Sequence, residues 1–238
     1  MLAMDSIERV LVVTAHPDDV DFGAAGTVAH FTDAGKQVTY CIVTDGDAGG
    51  FDPSIPRDAI GGIRRDEQTK AAACLGVYDL FFLGHPDGYL QATLELRRDI
   101  ARIIRKVRPQ IVLCQSAVRS YERVFASHPD HLAAGEAAIA AVYPDARNEF
   151  WMPELMAEGF GPWSVPETWV MAHPETNHVV DITPNIDRKL AALRSHRSQH
   201  ADPVAMEERV RSWNRVNAEA NGLGPDRYAE AFLVVATG

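Results

Sequence analysis

Short apolar runs alternate along the first half of the chain with longer segments whose apolar residues recur every three or four positions. The short runs are rich in Val and Ile and predict buried strands, whereas the longer segments predict helices that bury one face. The predicted strands span residues 9–15, 38–44, 78–83 and 111–115. The predicted helices span residues 23–34, 63–75, 94–107 and 131–142. Strands that alternate with helices are typical of βαβ units around a parallel sheet.

The second half of the chain continues this alternation less regularly. Short strands are predicted over residues 168–171, 179–182 and 231–236, and helices over 186–195 and 204–218. Residues 143–166 contain several prolines and receive no predicted element, but their aromatic side chains make them too apolar for a flexible linker. The sequence therefore predicts one domain over residues 1–238. Its expected fold is an α/β three-layer sandwich with a mostly parallel, Rossmann-like sheet.

Composition narrows the class of protein. The 238 residues include 23 basic and 33 acidic side chains, for a net charge of −10, so a nucleic-acid-binding surface is not expected. No apolar run reaches the roughly 20 residues of a membrane span, and the first residues lack the pattern of a signal peptide. The three cysteines lie far apart in apolar segments, so we expect reduced thiols and a cytoplasmic protein. The sequence leaves the formation of a homo-oligomer open.

Two tetrapeptides concentrate imidazole and carboxylate groups directly after predicted strands. Residues 16–19 (HPDD) follow the first strand, and residues 128–131 (HPDH) follow the fourth. Ligands of open α/β sheets bind outside the carboxyl ends of the strands, where the strand order reverses. For a strand order of 3-2-1-4-5, that reversal falls between the first and fourth strands. The sequence therefore predicts that the two tetrapeptides meet in one crevice.

His16, Asp19 and His131 are the candidate metal ligands. Catalytic zinc sites commonly use three His, Asp or Glu side chains and leave one position for water. His16 and Asp19 lie three residues apart in the turn that leads into a helix, and His131 begins the later helix. Bound Zn2+ would lower the pKa of that water to roughly 7. The same ligands also suit Fe2+, and the sequence does not choose between the two metals.

The other polar side chains of the two tetrapeptides supply candidate catalytic groups. Asp18 is the candidate general base for the water, and His128 is expected to polarise a carbonyl group or protonate a leaving group. Asp130 is expected to orient the His128 ring, as carboxylates commonly do. In the glycine-rich loop 45–50, Asp47 is a minor candidate for substrate contact. Together these groups suit metal-assisted hydrolysis of an amide or ester.

A purely structural interpretation competes with this one. His-Pro dipeptides are frequent in loops, and this chain has four of them. Aspartates before helices also serve as N-caps. A metal-free Rossmann-like binding protein is therefore the alternative from a different functional class. Residues 23–26 (GAAG) open a helix after the first strand, but the G-x-G-x-x-G spacing of a dinucleotide site is absent.

The motifs together resemble one family. Residues 15–19 (AHPDD) and 22–27 (FGAAGT), paired with HPDH at 128–131, are similar to the PIG-L/LmbE-like zinc-dependent N-deacetylases. This family removes acetyl groups from N-acetylglucosamine in precursors of GPI anchors, mycothiol and bacillithiol. The similarity extends over most of the chain, through the loop at 44–50, the Arg-x-x-Glu helix at 64–77, the loop at 84–88 and the His-x-x-Gln segment at 196–199.

The resemblance implies an LmbE-like fold and a zinc-dependent hydrolase, which uses metal-activated water to deacetylate a small molecule of the N-acetylglucosamine type. The metal ligands and catalytic residues that it implies are those already named. It adds Arg64 and Asp87, which match family positions that contact the sugar hydroxyls or a phosphate. A sister alternative keeps the same site but cleaves a larger amide in a thiol-sugar conjugate.

Two positions depart from the family pattern. Glu usually follows the pair of aspartates, where this chain has Val20, with Asp21 one residue later. Mycothiol-type deacetylases carry a tyrosine at the position of Ala126. In this chain we therefore expect oxyanion stabilisation from His128 and zinc, or from a residue such as Tyr121. The group attached to the sugar does not follow from the resemblance.

Overall fold

A single seven-stranded sheet runs through the protein, which the computed structural model describes from residue 1 to residue 238. The strands are β1 (Arg9–Thr14), β2 (Gln37–Thr44), β3 (Asp79–His85), β4 (Ile111–Gln115), β5 (Glu167–Met171), β6 (His178–Asp181) and β7 (Ala229–Ala236). They lie in the order β3-β2-β1-β4-β5-β7-β6. The first five strands in this order are parallel, and β7 is antiparallel to both of its neighbours. The predicted mostly parallel sheet is confirmed.

Eight α-helices accompany the sheet. They are α1 (Asp19–Gly23), α2 (Ala25–Asp33), α3 (Arg57–Cys74), α4 (Leu94–Val107), α5 (Pro129–Ala140), α6 (Pro153–Ala157), α7 (Ile186–Arg194) and α8 (Pro203–Ala220). None of them combines the length and the apolar character that crossing a bilayer requires.

The buried apolar residues form two main clusters, one on each face of the sheet. Along β1 the side chains alternate between them, because successive strand residues point to opposite faces. Leu11 and Val13 join the cluster that includes residues of α4 and α5, whereas Val10 and Val12 join the cluster that includes residues of α2 and α3. This arrangement is the α/β three-layer sandwich that the alternation of elements predicts.

The helix boundaries differ from the predicted ones at two places near the site. The helix predicted over residues 23–34 is two helices, because Ala24 leaves the helical conformation (φ −147°, ψ 8°) between α1 and α2. Helix α3 begins at Arg57 rather than at residue 63, since its polar first turns and the Gly61-Gly62 pair conceal the helical pattern. The unassigned segment 143–166 contains the short helix α6.

The strand order brings the two tetrapeptides together. Strands β1 and β4 are parallel neighbours, with Val10 opposite Ile111, so their carboxyl ends lie side by side. The side-chain oxygen Oε1 of Gln115 accepts a hydrogen bond from the backbone N–H of Ala15 at 2.8 Å, which joins the two strand ends directly. The predicted reversal of strand order between the first and fourth strands is confirmed.

Candidate active site

Three side chains from the two tetrapeptides converge outside the carboxyl ends of β1 and β4. His16 Nδ1 lies 3.2 Å from His131 Nε2 and 3.3 Å from Asp19 Oδ2. His131 Nε2 lies 3.0 Å from Asp19 Oδ1. The structure therefore brings all three predicted metal ligands together, although the third comes from a helix far along the chain.

The distances fit a small divalent metal ion. Ligand atoms about 2.1 Å from a tetrahedral zinc ion would lie about 3.4 Å from one another. The three distances above, of which two involve different oxygens of Asp19, are close to this value. The three side chains are largely buried, at 9% exposure for His16, 10% for Asp19 and 19% for His131. Two imidazoles and a carboxylate are also a donor set that zinc accepts. The site is thus a possible His/Asp metal site.

The charges of His16, Asp19 and His131 shift the pKa values of one another. Although burial disfavours the charged imidazole, the charge of Asp19 and hydrogen bonds to neighbouring carboxylates raise the pKa of His16 to about 12. The pKa of His131 is raised for the same reasons. Burial opposes ionisation of Asp19, but the charges of His131 and His16 hold its pKa well below the ordinary value. In the metal-free chain, the proton on His16 balances the negative charge of Asp19.

The opposite edge of the His16 ring faces two carboxylates. Its Nε2 atom lies 3.1 Å from Asp87 Oδ1 and 3.3 Å from Asp130 Oδ2. Asp130 also accepts hydrogen bonds from the backbone N–H groups of Gly88 and Leu90, at 2.7 and 3.2 Å. Carboxylates in this position fix the ring orientation of metal-binding histidines. The structure thus corrects the expected pairing of Asp130 with His128, because the Asp130 carboxylate binds His16.

His128 is oriented by backbone instead. Its Nδ1 atom accepts a hydrogen bond from the backbone N–H of Asp130 at 3.2 Å, which caps the first turn of α5. A neutral ring that accepts at Nδ1 carries its proton on Nε2. Burial, helped by the charges of His16 and His131, lowers the pKa of His128, so the neutral form is favoured. The rings of His128 and His16 lie 5.0 Å apart, which places His128 beside the three converging ligands.

Asp18 lies in an unusual backbone conformation between the ligands His16 and Asp19. Its φ of 92° and ψ of −24° are in the left-handed region, and its side chain makes no N-cap hydrogen bond. The carboxylate contacts Arg64 Nη2 at 3.0 Å. Burial raises the pKa of the Asp18 carboxyl, against the opposing charge of Arg64. A raised pKa brings a carboxylate closer to the range that suits a general base at neutral pH.

Comparison with known proteins identifies the family to which these site residues belong. Residues 11–142 match the model of the PIG-L family, described as GlcNAc-PI de-N-acetylase. This stretch includes both tetrapeptides and the helix between them that supplies Arg64. The chain belongs to the PIG-L family.

Relatives of this PIG-L protein have been named as deacetylases. The chain is 34% identical over 200 residues to diacetylchitobiose deacetylase from Thermococcus kodakarensis, covering 84% of this chain and 73% of the relative. It is 32% identical over 206 residues to a probable N-acetyl-α-D-glucosaminyl L-malate deacetylase 2 from Bacillus anthracis, covering 84% and 85%. The solved N,N'-diacetylchitobiose deacetylase from Pyrococcus horikoshii superposes with a TM-score of 0.90 at 31% identity, covering 98% of this chain and 85% of that one.

The substrate-side residues expected for a PIG-L protein lie around the ligands. Arg64 is 4% exposed and donates to the backbone oxygens of Pro17 and Gly46 as well as to Asp18, so its guanidinium braces the loops on both sides of the site. Asp47 accepts a hydrogen bond from the backbone N–H of Asp87 at 2.9 Å. Arg64 and Asp87 are therefore already engaged with the protein, and Asp47 is more exposed than either.

Asp47 also borders a second space beside the site. A polar cavity of about 410 Å3 opens at the carboxyl ends of β2 and β3. Its lining is Asp45, Asp47, Arg57, Asp58, Gly61, Gly62, Arg65, Gly84 and Pro86. Because none of the converging ligands lines it, this cavity adjoins the candidate metal site but does not contain it.

Some residues that contact the site carry no direct signal of a functional role in the sequence. Gln68, one turn after Arg64 on α3, accepts a hydrogen bond from the backbone N–H of Asp18. A hydrogen bond to the backbone of Ala126 helps to raise the pKa of His131, so Ala126 contributes its backbone to the site. Tyr121 is 84% exposed. The four-residue spacing from Arg64 is the signal that could have indicated Gln68, since residues i and i+4 share a helix face.

Proposed function

We propose that this PIG-L protein is a metal-dependent hydrolase that removes the acetyl group from an N-acetylglucosamine-type substrate. The observation that carries the proposal is the convergence of His16, Asp19 and His131 within 3.3 Å of one another, beside Asp18 and His128. Membership of the PIG-L family and the deacetylase names of its relatives support the substrate class.

His16, Asp19 and His131 would hold the metal, and we propose Zn2+, with Fe2+ as the alternative in the cell. When bound, the ion would supply a Lewis acid and lower the pKa of an attacking water. The imidazole and carboxylate donors suit zinc, which binds His nitrogen and Asp oxygen at about 2.0–2.2 Å. Asp87 and Asp130 would keep Nδ1 of His16 directed at the ion by holding Nε2 on the other edge of the ring.

The protein's own groups would then move the proton and orient the amide. Asp18 would accept the proton of the attacking water and return it to the amine as the C–N bond breaks, so that water and amide become acetate and amine. His128, neutral and protonated at Nε2, would donate a hydrogen bond to the acetamide oxygen as negative charge develops there. Arg64, Asp87 and Asp47 are the proposed contacts of the sugar, with Asp47 the most accessible of the three.

Metal stoichiometry and acetate release test this function. Wild-type protein purified without chelator or His-tag should contain about one divalent metal per chain and release acetate from N-acetylglucosamine conjugates. Asp19→Asn and His131→Gln should lose the metal. Asp18→Asn should keep the metal but lose at least about 100-fold in kcat, the usual range for a general base. A wild type that stays metal-free after zinc is supplied and releases no acetate would favour the metal-free binding protein. Acetate release that EDTA does not inhibit would contradict the metal dependence.

The carboxylic acid that hydrolysis produces distinguishes the two hydrolase alternatives. A deacetylase produces acetate, whereas an amidase acting on a thiol-sugar conjugate produces a larger acid from the same site. Parallel assays on both substrates, with each acid measured by mass spectrometry, separate them. Acetate as the main product supports the proposal, and a strong preference for the larger amide contradicts it.

The proposal extends to organisation and location. Residues 1–238 are proposed to form one domain, since one sheet and the clusters on its two faces span the chain from β1 to β7. A cytoplasmic location is proposed because all three cysteines are free thiols. A homo-oligomer is proposed because large aromatic side chains such as Phe150 and Tyr121 are 85% and 84% exposed. Light scattering of the purified chain tests the last point.

A further inference from the structure

A buried chain of hydrogen bonds lies behind the turn that carries the proposed general base. The backbone N–H of Asp18 donates to Gln68 Oε1 at 2.7 Å, and Gln68 Nε2 donates to Asp21 Oδ2 at 2.9 Å. His196 Nε2 lies 2.8 Å from the same Asp21 oxygen. Gln68, Asp21 and His196 are each 0% exposed, so water does not compete for these bonds.

The turn needs such support because the Asp18 backbone is strained. A non-glycine residue in a sparsely populated conformation persists only where its surroundings determine it. At Asp18 the φ of 92° is held from one side by the bond to Gln68. Arg64 donates to the carbonyl of Pro17, which belongs to the same peptide group as the Asp18 N–H. Arg64 and Gln68, one turn apart on α3, therefore hold the C=O and the N–H of the single Pro17–Asp18 peptide group.

The orientation of the Gln68 amide is set by its two hydrogen-bond partners. The side chain makes two hydrogen bonds, one through each end of the amide. Because the backbone N–H of Asp18 can only donate, Gln68 must present its oxygen to Asp18, and its nitrogen then faces Asp21 Oδ2, which accepts. The contact of His196 with the same oxygen, Asp21 Oδ2, holds that carboxylate in place. Each bond in the chain thus determines the direction of the next.

We propose that Gln68, supported by Asp21 and His196, is a positioning residue that keeps the Asp18 carboxylate directed toward the reacting water. The inference rests on the proposed function of Asp18 as general base. Gln68 acts through the backbone of Asp18 and does not reach the reacting atoms itself. Its loss should therefore slow turnover without changing how substrate or metal is bound.

The first experiment removes both hydrogen bonds while keeping the shape of the side chain. Gln68→Met should lower kcat for acetate release at least tenfold, leave KM within about twofold, and leave the metal content unchanged. Lys70→Met is the matched control, since Lys70 lies on the same helix and is exposed. The control should keep the wild-type kcat. A Gln68→Met variant with wild-type kcat, or one that loses its metal, would overturn the inference.

A second experiment reverses the direction of the chain. Gln68→Glu places a carboxylate against Asp21 and should also lower kcat. In the double variant Gln68→Glu/Asp21→Asn, the new carboxamide at position 21 can donate one hydrogen bond toward position 68 and another to Nε2 of His196. The hydrogen bond from the Asp18 N–H to residue 68 is then restored. On a logarithmic scale, kcat should recover at least half of the decrease that Gln68→Glu alone causes. A double variant no better than Gln68→Glu would contradict a positioning role.

Hydrogen exchange separates this inference from the proposed function. In Gln68→Met, the peptide that contains Asp18 should exchange its backbone amide hydrogen at least tenfold faster than in wild type, because that N–H has lost its acceptor. Peptides of α8 should exchange as in wild type. If the wild type releases no acetate, the proposed function fails, and hydrogen exchange then decides the inference. Faster exchange at Asp18 would show that Gln68 holds this backbone group, and unchanged exchange would overturn the inference.

Discussion

Asp87 contacts Nε2 of His16 at 3.1 Å, on the edge of the imidazole opposite the nitrogen that faces Asp19 and His131. The ring of His16 is therefore held between carboxylates on both edges. This explains why its pKa is so high without a metal, since Asp19 and the carboxylates on Nε2 favour the imidazolium despite burial. It also means that a metal must compete with a proton for Nδ1.

Metal binding is therefore predicted to release protons. Because the pKa of His16 is raised to about 12, its ring carries an extra proton at pH 7 in the metal-free chain, and the pKa of His131 is raised as well. A metal ligand must be deprotonated, so each displaced proton makes the apparent affinity rise about tenfold per pH unit below the pKa. Titration calorimetry with Zn2+ in buffers of different ionisation heat should show release of at least one proton. An affinity that is constant from pH 6 to 8 would contradict this assignment.

Arg64 is predicted to set the acidic limit of activity. Its positive charge lowers the pKa of Asp18, in opposition to burial. Arg64→Met removes that charge, so the pKa of Asp18 should rise and the acidic limb of kcat/KM should move to higher pH. Activity should therefore fall more at pH 6 than at pH 8.

The neighbouring arginine provides the control for this measurement. Arg65 pairs with Asp45 at 2.6 Å and makes no contact with Asp18. Arg65→Met should leave the acidic limb where it is in wild type. The same shift in both variants would show that loss of any positive charge on α3 is enough, and would contradict a specific pairing of Arg64 with Asp18.

Gly135 is predicted to be essential for the position of His131. It lies one turn after His131 on α5, and a Cβ atom there would clash with the backbone carbonyl of Gln115 at the end of β4. Gly135→Ala should push α5 away from β4, cost about 1–3 kcal/mol of unfolding free energy and weaken zinc binding. Gly62→Ala on α3 is the control, because no atom lies within 4 Å of its added Cβ. Denaturation and zinc titration of both variants check this prediction, and equal effects would refute it.

Loss of one partner from the buried ion pair between Lys189 and Glu230 is predicted to destabilise the protein strongly. Their charged atoms lie 2.6 Å apart at 1% and 2% side-chain exposure, and Glu230 also accepts from the backbone N–H groups of Gly26 and Thr27 at the start of α2. Lys189→Met leaves a buried carboxylate without its cation and should cost about 3–5 kcal/mol. Arg227→Met breaks an exposed pair with Asp181 and should cost under about 1 kcal/mol. Urea unfolding of the two variants measures the difference.

The parts of the site that could be predicted are those that depend on local pattern and strand order. The apolar runs predict β1 and β4, and the rule for parallel sheets brings the residues after them together, so His16, Asp19 and His131 follow from the sequence. The partner of Asp130 does not follow. Its carboxylate is held by backbone N–H groups of the loop after β3, and no periodicity reveals where that loop lies.

Gln68 escaped prediction for a related reason. A glutamine side chain does not ionise and is not typical of catalytic or metal-binding motifs. Its proposed importance comes only from the backbone N–H that it binds. The early start of α3 was also hidden, since Gly61 and Gly62 disfavour a helix locally. There the packing of the helix face that carries Arg64 and Gln68, both buried, outweighs the local preference.

The pairing of β1 with β4 has a consequence for the order of events during folding. Two of the proposed ligands precede β2 and β3 in the chain, whereas His131 follows β4, so the complete set exists only after non-adjacent strands have paired. Contacts of such long sequence separation form slowly, because a long loop must close first. During synthesis, a nascent chain that has not yet reached residue 131 could not hold the ion with all three ligands. Metal uptake would thus be a late step that marks the finished tertiary structure and does not guide its assembly.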